Sequence, residues 1–430
     1  MSPVLSSAVS LAALVGVIFL GFWKKWNVGI LSFGFAMVVG MLVGMPQKEI
    51  VAGFNTSLFV VLLGSMFLFS IAQLNGTMDL LAKKLVALSG GRGWTIPIFM
   101  YLLGALVSAL GPGTIPGFGI VAMFGVPLAL AMDADPFLFC TIGQMGAIAG
   151  GIVPWAPTGV VGISKAAEAG YTENVALPLF INTLIGTLFV SVLLFILYRG
   201  WRVKGNPDGP KWKDLPRFNK NQILTFLTIL AMVLCVILLH TDIGLTCFLM
   251  ACVLIFLKVA DIGECVKALP WNTLLLVVGI GVLMNVVITA GGINLLATGL
   301  ASIMTVRTAP ALISLVSGVM SWFSSTSGVT MPTMIPTIPA ILEHLGPSAS
   351  SIPPVLMVSA VTVGSSCAGI SPASTGGGLI MASLAGDLKD HKVDFDYNKM
   401  FIKLFLTSMF SVAMAVVFAF IGGYSFTPYG

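Results

Sequence analysis

With 430 residues that are 57% hydrophobic and only 9% charged, at a mean hydropathy of +1.03, this chain is too apolar for a water-soluble protein, whose domains carry about 25% charged residues. The formal net charge of +5 is no nucleic-acid signal, because the basic residues gather in short loops, as topology determinants do. The six cysteines have neither paired nor metal-like spacing, so neither a disulfide framework nor a zinc site is expected.

In chain order, no basic segment precedes the first apolar run, so a cleaved signal peptide is not expected. Apolar stretches at 8–23, 28–46 and 55–74 approach the roughly 20 residues that a membrane crossing needs. The segment 77–89 mixes polar and apolar residues and is predicted to lie as a helix on the membrane surface. Residues 94–132 are too long for one crossing and carry Gly111-Pro112-Gly113-Thr114 near the middle. They are predicted to form a re-entrant hairpin with its tip at Pro112–Thr114. A crossing at 137–170 is broken at 154–159, within Gly151-Ile152-Val153-Pro154-Trp155-Ala156-Pro157-Thr158-Gly159, and another follows at 175–199.

A basic linker then leads to a second set of crossings at 221–241, 243–258 and 272–290 and a second surface segment at 292–304. A second hairpin at 308–342 has its tip at Ser324-Ser325-Thr326-Ser327. The crossing at 351–386 is broken at 371–377, within Gly369-Ile370-Ser371-Pro372-Ala373-Ser374-Thr375-Gly376-Gly377, and the last runs over 399–424. The expected fold is an all-α polytopic membrane protein with about ten transmembrane helices plus two re-entrant hairpins.

The halves repeat. Phe54-Asn55-Thr56 matches Trp271-Asn272-Thr273, and Gly64 matches Gly281 at the same spacing. Gly76 to Ala82 aligns with Gly291 to Ala297. Gly146, Gly151, Ile152, Pro154 and Gly159 align with Gly364, Gly369, Ile370, Pro372 and Gly377. Residues 1–200 and 221–430 are therefore two repeats joined by a cytoplasmic linker at 201–220. An odd number of crossings per half, about five, makes their topology inverted. Charge tests this independently. With the linker in the cytoplasm, every basic residue except Lys48, Lys165 and Arg307 falls on that side, and both termini face the periplasm.

The tips and breaks lie in stretches without Asp, Glu, Lys, Arg or His: 93–132, 136–164, 308–342 and 345–386. Their chemistry is hydroxyls, backbone amides and helix ends. Irregular backbone at membrane depth survives only where it is buried or lines a cavity, and paired interruptions mark a transporter's binding site. Exposed helix N-termini hold anions, and Ser/Thr and carbonyl oxygens suit a hard cation such as sodium. The expected substrate site is Pro112, Gly113, Thr114, Trp155, Thr158, Ser324, Ser325, Thr326, Ser327, Ser374, Thr375 and Gly376, with sodium ligands among Thr114, Thr158, Ser324, Ser371, Ser374 and Thr375. Trp155 could wall a cavity or anchor at the interface, and Gln144 could pack between helices or meet the ligand. Asn55 and Asn272 stand at helix starts, where capping is the simpler role, and His240, His344 and His391 lie at helix ends or in loops.

Hairpins, broken helices, and Ser324-Ser325-Thr326 followed by Pro332, Pro336 and Pro339, together with Ser371-Pro372-Ala373-Ser374-Thr375, resemble the divalent anion/sodium symporters (DASS) of the ion transporter superfamily, and within them the malonate and dicarboxylate carrier branch. The family's tip motif is Ser-Asn-Thr in both hairpins. The second tip keeps Ser324 and Thr326, and the first keeps only Thr114. The resemblance implies a homodimeric elevator in a bacterial inner membrane that carries small dicarboxylates with sodium, in contact with lipid and not with nucleic acid. The membrane subunit of a binding-protein-dependent tripartite system and a proton-coupled carrier are the alternatives. The tips and breaks hold no His, Asp or Glu for a nucleophile–base or metal pair, so an enzyme is not expected.

Overall fold

The computed structural model describes residues 2–24, 26–87, 93–171, 175–204, 215–239, 241–390 and 397–425, which contain helices and turns and no strand. Lys25, Arg92, Lys211, Lys213, His240, His391 and Lys392 lie outside them. The first half runs through α1 (Pro3–Lys24), α2 (Val28–Leu42), α3 (Gln47–Ala52), α4 (Thr56–Leu74), α5 (Thr77–Ala87), α6 (Ile96–Ala109), α7 (Thr114–Ala131), α8 (Pro136–Gly150), α9 (Pro157–Glu168) and α10 (Ala176–Leu197). The second runs through α11 (Lys220–Leu239), α12 (Ile243–Phe256), α13 (Ile262–Ala268), α14 (Trp271–Thr289), α15 (Gly292–Ala301), α16 (Ala309–Trp322), α17 (Met331–Met334), α18 (Ile338–His344), α19 (Pro354–Cys367), α20 (Thr375–Asp390) and α21 (Tyr397–Phe420).

Among the described residues, seven helical stretches are long and apolar enough to cross a membrane. A further pair, Ala309–Trp322 and Thr326–His344, is bent by 120° at its break. Helix starts follow side-chain chemistry. Asn27, Asn55, Asp135, Asp242 and Asp261 each accept a first-turn backbone N–H, satisfying donors that a helix leaves orphaned. Asn272 departs from its expected role. It lies inside α14, which starts at Trp271 after Pro270, and its backbone carbonyl accepts from Asn27 Nδ2 at 2.8 Å.

The core is built by close backbone approach. Within a bilayer, lipid tails are as apolar as leucine, so helices associate through small residues and packing. Among the most extensive packing seams are α6 to α8, α16 to α19, α2 to α14 and α4 to α12. Each seam is lined by glycine. A Cβ on Gly146 would lie 1.9 Å from the Tyr101 carbonyl oxygen, one on Gly364 2.4 Å from that of Ser314, one on Gly279 2.1 Å from that of Gly29, and one on Gly64 2.4 Å from that of Gly244. The stretches 137–150 of α8 and 355–367 of α19 are buried on every face, and both helices run into the breaks. Inside α19, Ser359, Thr362 and Ser365 donate to the carbonyls of Val355, Val358 and Val361, which satisfies their hydroxyls away from water.

The breaks sit slightly differently from the expected boundaries. The first spans 151–156 and ends at Pro157, a residue preset for the first helical position, so Pro157, Thr158 and Gly159 are helical. The second spans 371–374, leaving Thr375, Gly376 and Gly377 in the first turn of α20.

Candidate functional site

The two tips and the second break meet in one small cavity of about 50 Å³. Thr114, Ser324, Ser325, Thr326, Ser327, Ser374, Thr375 and Gly376, all singled out in the sequence, line it. Ile115, Phe118, Ser321 and Gly369 complete the wall and were not singled out. Pro112, Gly113, Trp155, Thr158 and Ser371 do not line it.

The first tip is shaped by glycine. Gly113 has φ 86° and ψ −173°, a region that residues with a Cβ avoid, and a Cβ there would meet Pro157 Cδ at 3.0 Å. The tip therefore seats on the first residue of α9. Thr114 Oγ1 stands 3.2 Å from Thr158 Oγ1, placing Thr158 directly behind the cavity wall. Trp155 is not among the residues that line the cavity. Its Nε1–H donates to the Ala109 carbonyl at 2.7 Å, tying the first break to the last turn of α6. That carbonyl is one of the acceptors a helix end leaves unpaired.

The second tip is held by its own hydroxyls. Ser324 Oγ donates to the Met320 carbonyl at 2.8 Å, and Ser325 Oγ accepts the Gly328 N–H at 3.2 Å. Thr326 Oγ1 donates to the Ser365 carbonyl at 3.0 Å and lies 2.9 Å from Ser321 Oγ. Residues Thr326–Thr330 then form a π-helical turn, a deviation frequent at functional sites. At the second break, Ser374 Oγ donates to the carbonyls of Gly369 and Ser371, and Ser371 Oγ accepts the Ala373 N–H at 3.3 Å. Most hydroxyls marked as ligands thus already serve the backbone. Among the described residues, Ser327 and Thr375 carry cavity hydroxyls with no protein partner.

The electrostatics come from the backbone. No charged side chain lines the cavity. α7 begins at Thr114 and α20 at Thr375, and both residues face it. Gly113 offers no side-chain cap to α7, so its first N–H groups are available. Two positive helix ends therefore converge on one spot, an arrangement suited to an anion. Ile115 and Phe118, on the first turns of α7, add an apolar part to the wall. Phe118 lies close enough to Gly376 that a Cβ there would come within 3.0 Å of its ring. The spacing Ile115–Phe118, one turn beyond a tip, was the sequence signal for this wall.

Gln144 bridges the halves. Its Nε2 donates to the Gly376 carbonyl at 2.9 Å across the α8–α20 contact, and its buried Oε1 has no protein partner. Packing between helices is the role this geometry gives it.

A family profile described as citrate transporter matches residues 14–364, most of the chain. The chain belongs to the citrate transporter family. No curated protein matches. Among solved structures, the Alcanivorax borkumensis YdaH transporter is similar at a TM-score of 0.57 and 13% identity, over 92% of this chain and 90% of that one. The structure of Neisseria gonorrhoeae MtrF, described as one of a class of antimetabolite efflux pumps, is similar at a TM-score of 0.52 and 14% identity, over 89% of this chain and 84% of that one. At such identities the likeness is one of fold. This citrate-transporter-family protein is a multi-pass membrane transporter, and its relatives by profile and by fold are transporters rather than enzymes.

Proposed function

We propose that the protein is a sodium-coupled symporter of small dicarboxylates, such as malonate or a C4-dicarboxylate, at the bacterial inner membrane, and that it works as a homodimeric elevator. The observation carrying this reading is the cavity where two helix N-termini, free hydroxyls and an apolar wall meet without any charged side chain. An anion bound there would have its charge offset by helix ends and by a cation held on Ser/Thr and carbonyl oxygens. Thr114 with Thr158, and Ser324 with Ser371, Ser374 and Thr375, are the oxygen donors proposed for sodium.

The division into repeats 1–200 and 221–430 is supported by packing. If the halves are equivalent, α2 corresponds to α12 and α4 to α14, and the observed seams α2–α14 and α4–α12 exchange under that symmetry. The elevator reading has a mechanical basis. α5 touches both α4 and α6, and α15 touches both α1 and α18, so each surface helix spans from the first helices of a half to a hairpin. Such arms can carry a hairpin-and-broken-helix body past a fixed scaffold. With the linker cytoplasmic, both termini would be periplasmic.

A thermal-unfolding screen of the purified protein tests the substrate class. Malonate or a C4-dicarboxylate should raise the midpoint in sodium and not in an equal concentration of choline, because a ligand that binds only the folded state stabilises it by mass action. Stabilisation by citrate alone, indifferent to sodium, would refute the reading.

A further inference from the structure

A second cavity, of about 510 Å³, lies away from the transport site, where the end of α10 meets the starts of α8 and α21. Its rim carries Arg199, Lys403 and Asp135, and its wall carries Leu197, Leu406 and Phe410. We propose that it holds an anionic phospholipid, with the phosphate between Arg199 and Lys403 and an acyl chain along the apolar wall.

Three observations carry this. First, the pocket is amphipathic in the sense a lipid requires: cations stand at helix ends and apolar side chains lie further along the same helices, Leu406 and Phe410 following Lys403 on one face of α21. Second, the charges are unbalanced in favour of an anion. Lys403 pairs with Asp135, and Arg199 has no ion pair among the described residues, so the rim keeps one net positive charge. Third, the rim is built. Arg199 sits at φ 53°, a left-handed conformation that a residue with a Cβ adopts only when its surroundings hold it there, and its N–H bonds the Ile196 carbonyl at 3.0 Å. Lys403 is held over the rings of Phe137 and Tyr198, at 5.2 and 5.5 Å from their centroids. Behind it, Tyr198 Oη lies 2.6 Å from Thr407 Oγ1 and ties α10 to α21.

This binding would staple the last helix of each half at one membrane face, whatever substrate the transporter carries. Native mass spectrometry of detergent-purified protein tests it, with phosphatidylglycerol and phosphatidylcholine of identical chains added in equal amounts. The expected result is retention of phosphatidylglycerol over phosphatidylcholine, falling by roughly five-fold for each cation removed in Arg199→Gln and Lys403→Gln, with Lys403→Arg keeping the preference. Excess inorganic phosphate should not displace the lipid. The proposal is overturned by equal retention of the two lipids, by an undiminished preference in a monodisperse Arg199→Gln protein, or by displacement with phosphate alone, which would make the site one for a free anion.

Discussion

At the scale of single residues, the hydroxyls around the transport cavity divide into those already bonded and those left open. Thr375 and Ser327 are open, whereas Ser324 is committed to the Met320 carbonyl. Thr375→Ala should therefore raise the substrate concentration for half-maximal uptake about ten-fold, the cost of one hydrogen bond to a charged ligand. Ser324→Ala should cost less, since its hydroxyl serves a helix carbonyl. Uptake kinetics on both variants decide this, and a larger effect at Ser324 than at Thr375 would reverse the assignment. Trp155→Phe keeps an aromatic ring but loses the indole N–H and part of the indole volume, leaving the Ala109 carbonyl without that donor, so it should destabilise the fold by at least about 1 kcal/mol, read as a lowered midpoint of thermal unfolding. Which hydroxyls were open was not legible in the sequence. A run such as Ser324-Ser325-Thr326-Ser327 looks uniform in one dimension, and only the path of the backbone decides which members cap, back-bond or face the cavity.

At the scale of elements, glycines set both the tips and the seams. Gly113→Ala should cost about 1–3 kcal/mol, because φ 86° with ψ −173° admits no Cβ without strain and Pro157 stands in the way. Gly146→Ala should push α6 from α8 at the most intimate seam of the molecule, with a cost of similar size. Thermal unfolding in detergent measures both, and unchanged midpoints would show that the seams tolerate a methyl group. These elements were largely readable beforehand, because Gly/Pro clusters inside apolar runs leave few alternatives to a tip or a break. The short helices α3 and α13 were not read, being too brief for a periodic signal; α13 is started by the local Asp261 cap. The exact ends of the breaks escaped for a related reason. Pro157 and Thr375 look like breakers in sequence but act as first-turn residues once the chain turns.

At the scale of the whole molecule, the proposed inverted repeat fixes an orientation that labelling can test. In a background lacking the native cysteines, a membrane-impermeant thiol reagent on intact cells should label a cysteine placed at Ser2 and spare one placed at Lys204. The reverse pattern would overturn both the orientation and the division into halves. Energy coupling is a property of the whole transporter. The cavity contains no side chain that titrates near neutral pH, so it offers no alternately exposed proton carrier, while its oxygens match what a sodium ion takes. The most direct measurement is uptake of a radiolabelled dicarboxylate into proteoliposomes holding only this protein, under an imposed sodium gradient at equal pH and, separately, under an imposed pH gradient without sodium. The account predicts accumulation above equilibrium in the first case and none in the second. Accumulation driven by the pH gradient alone, unchanged when sodium is added, would contradict it.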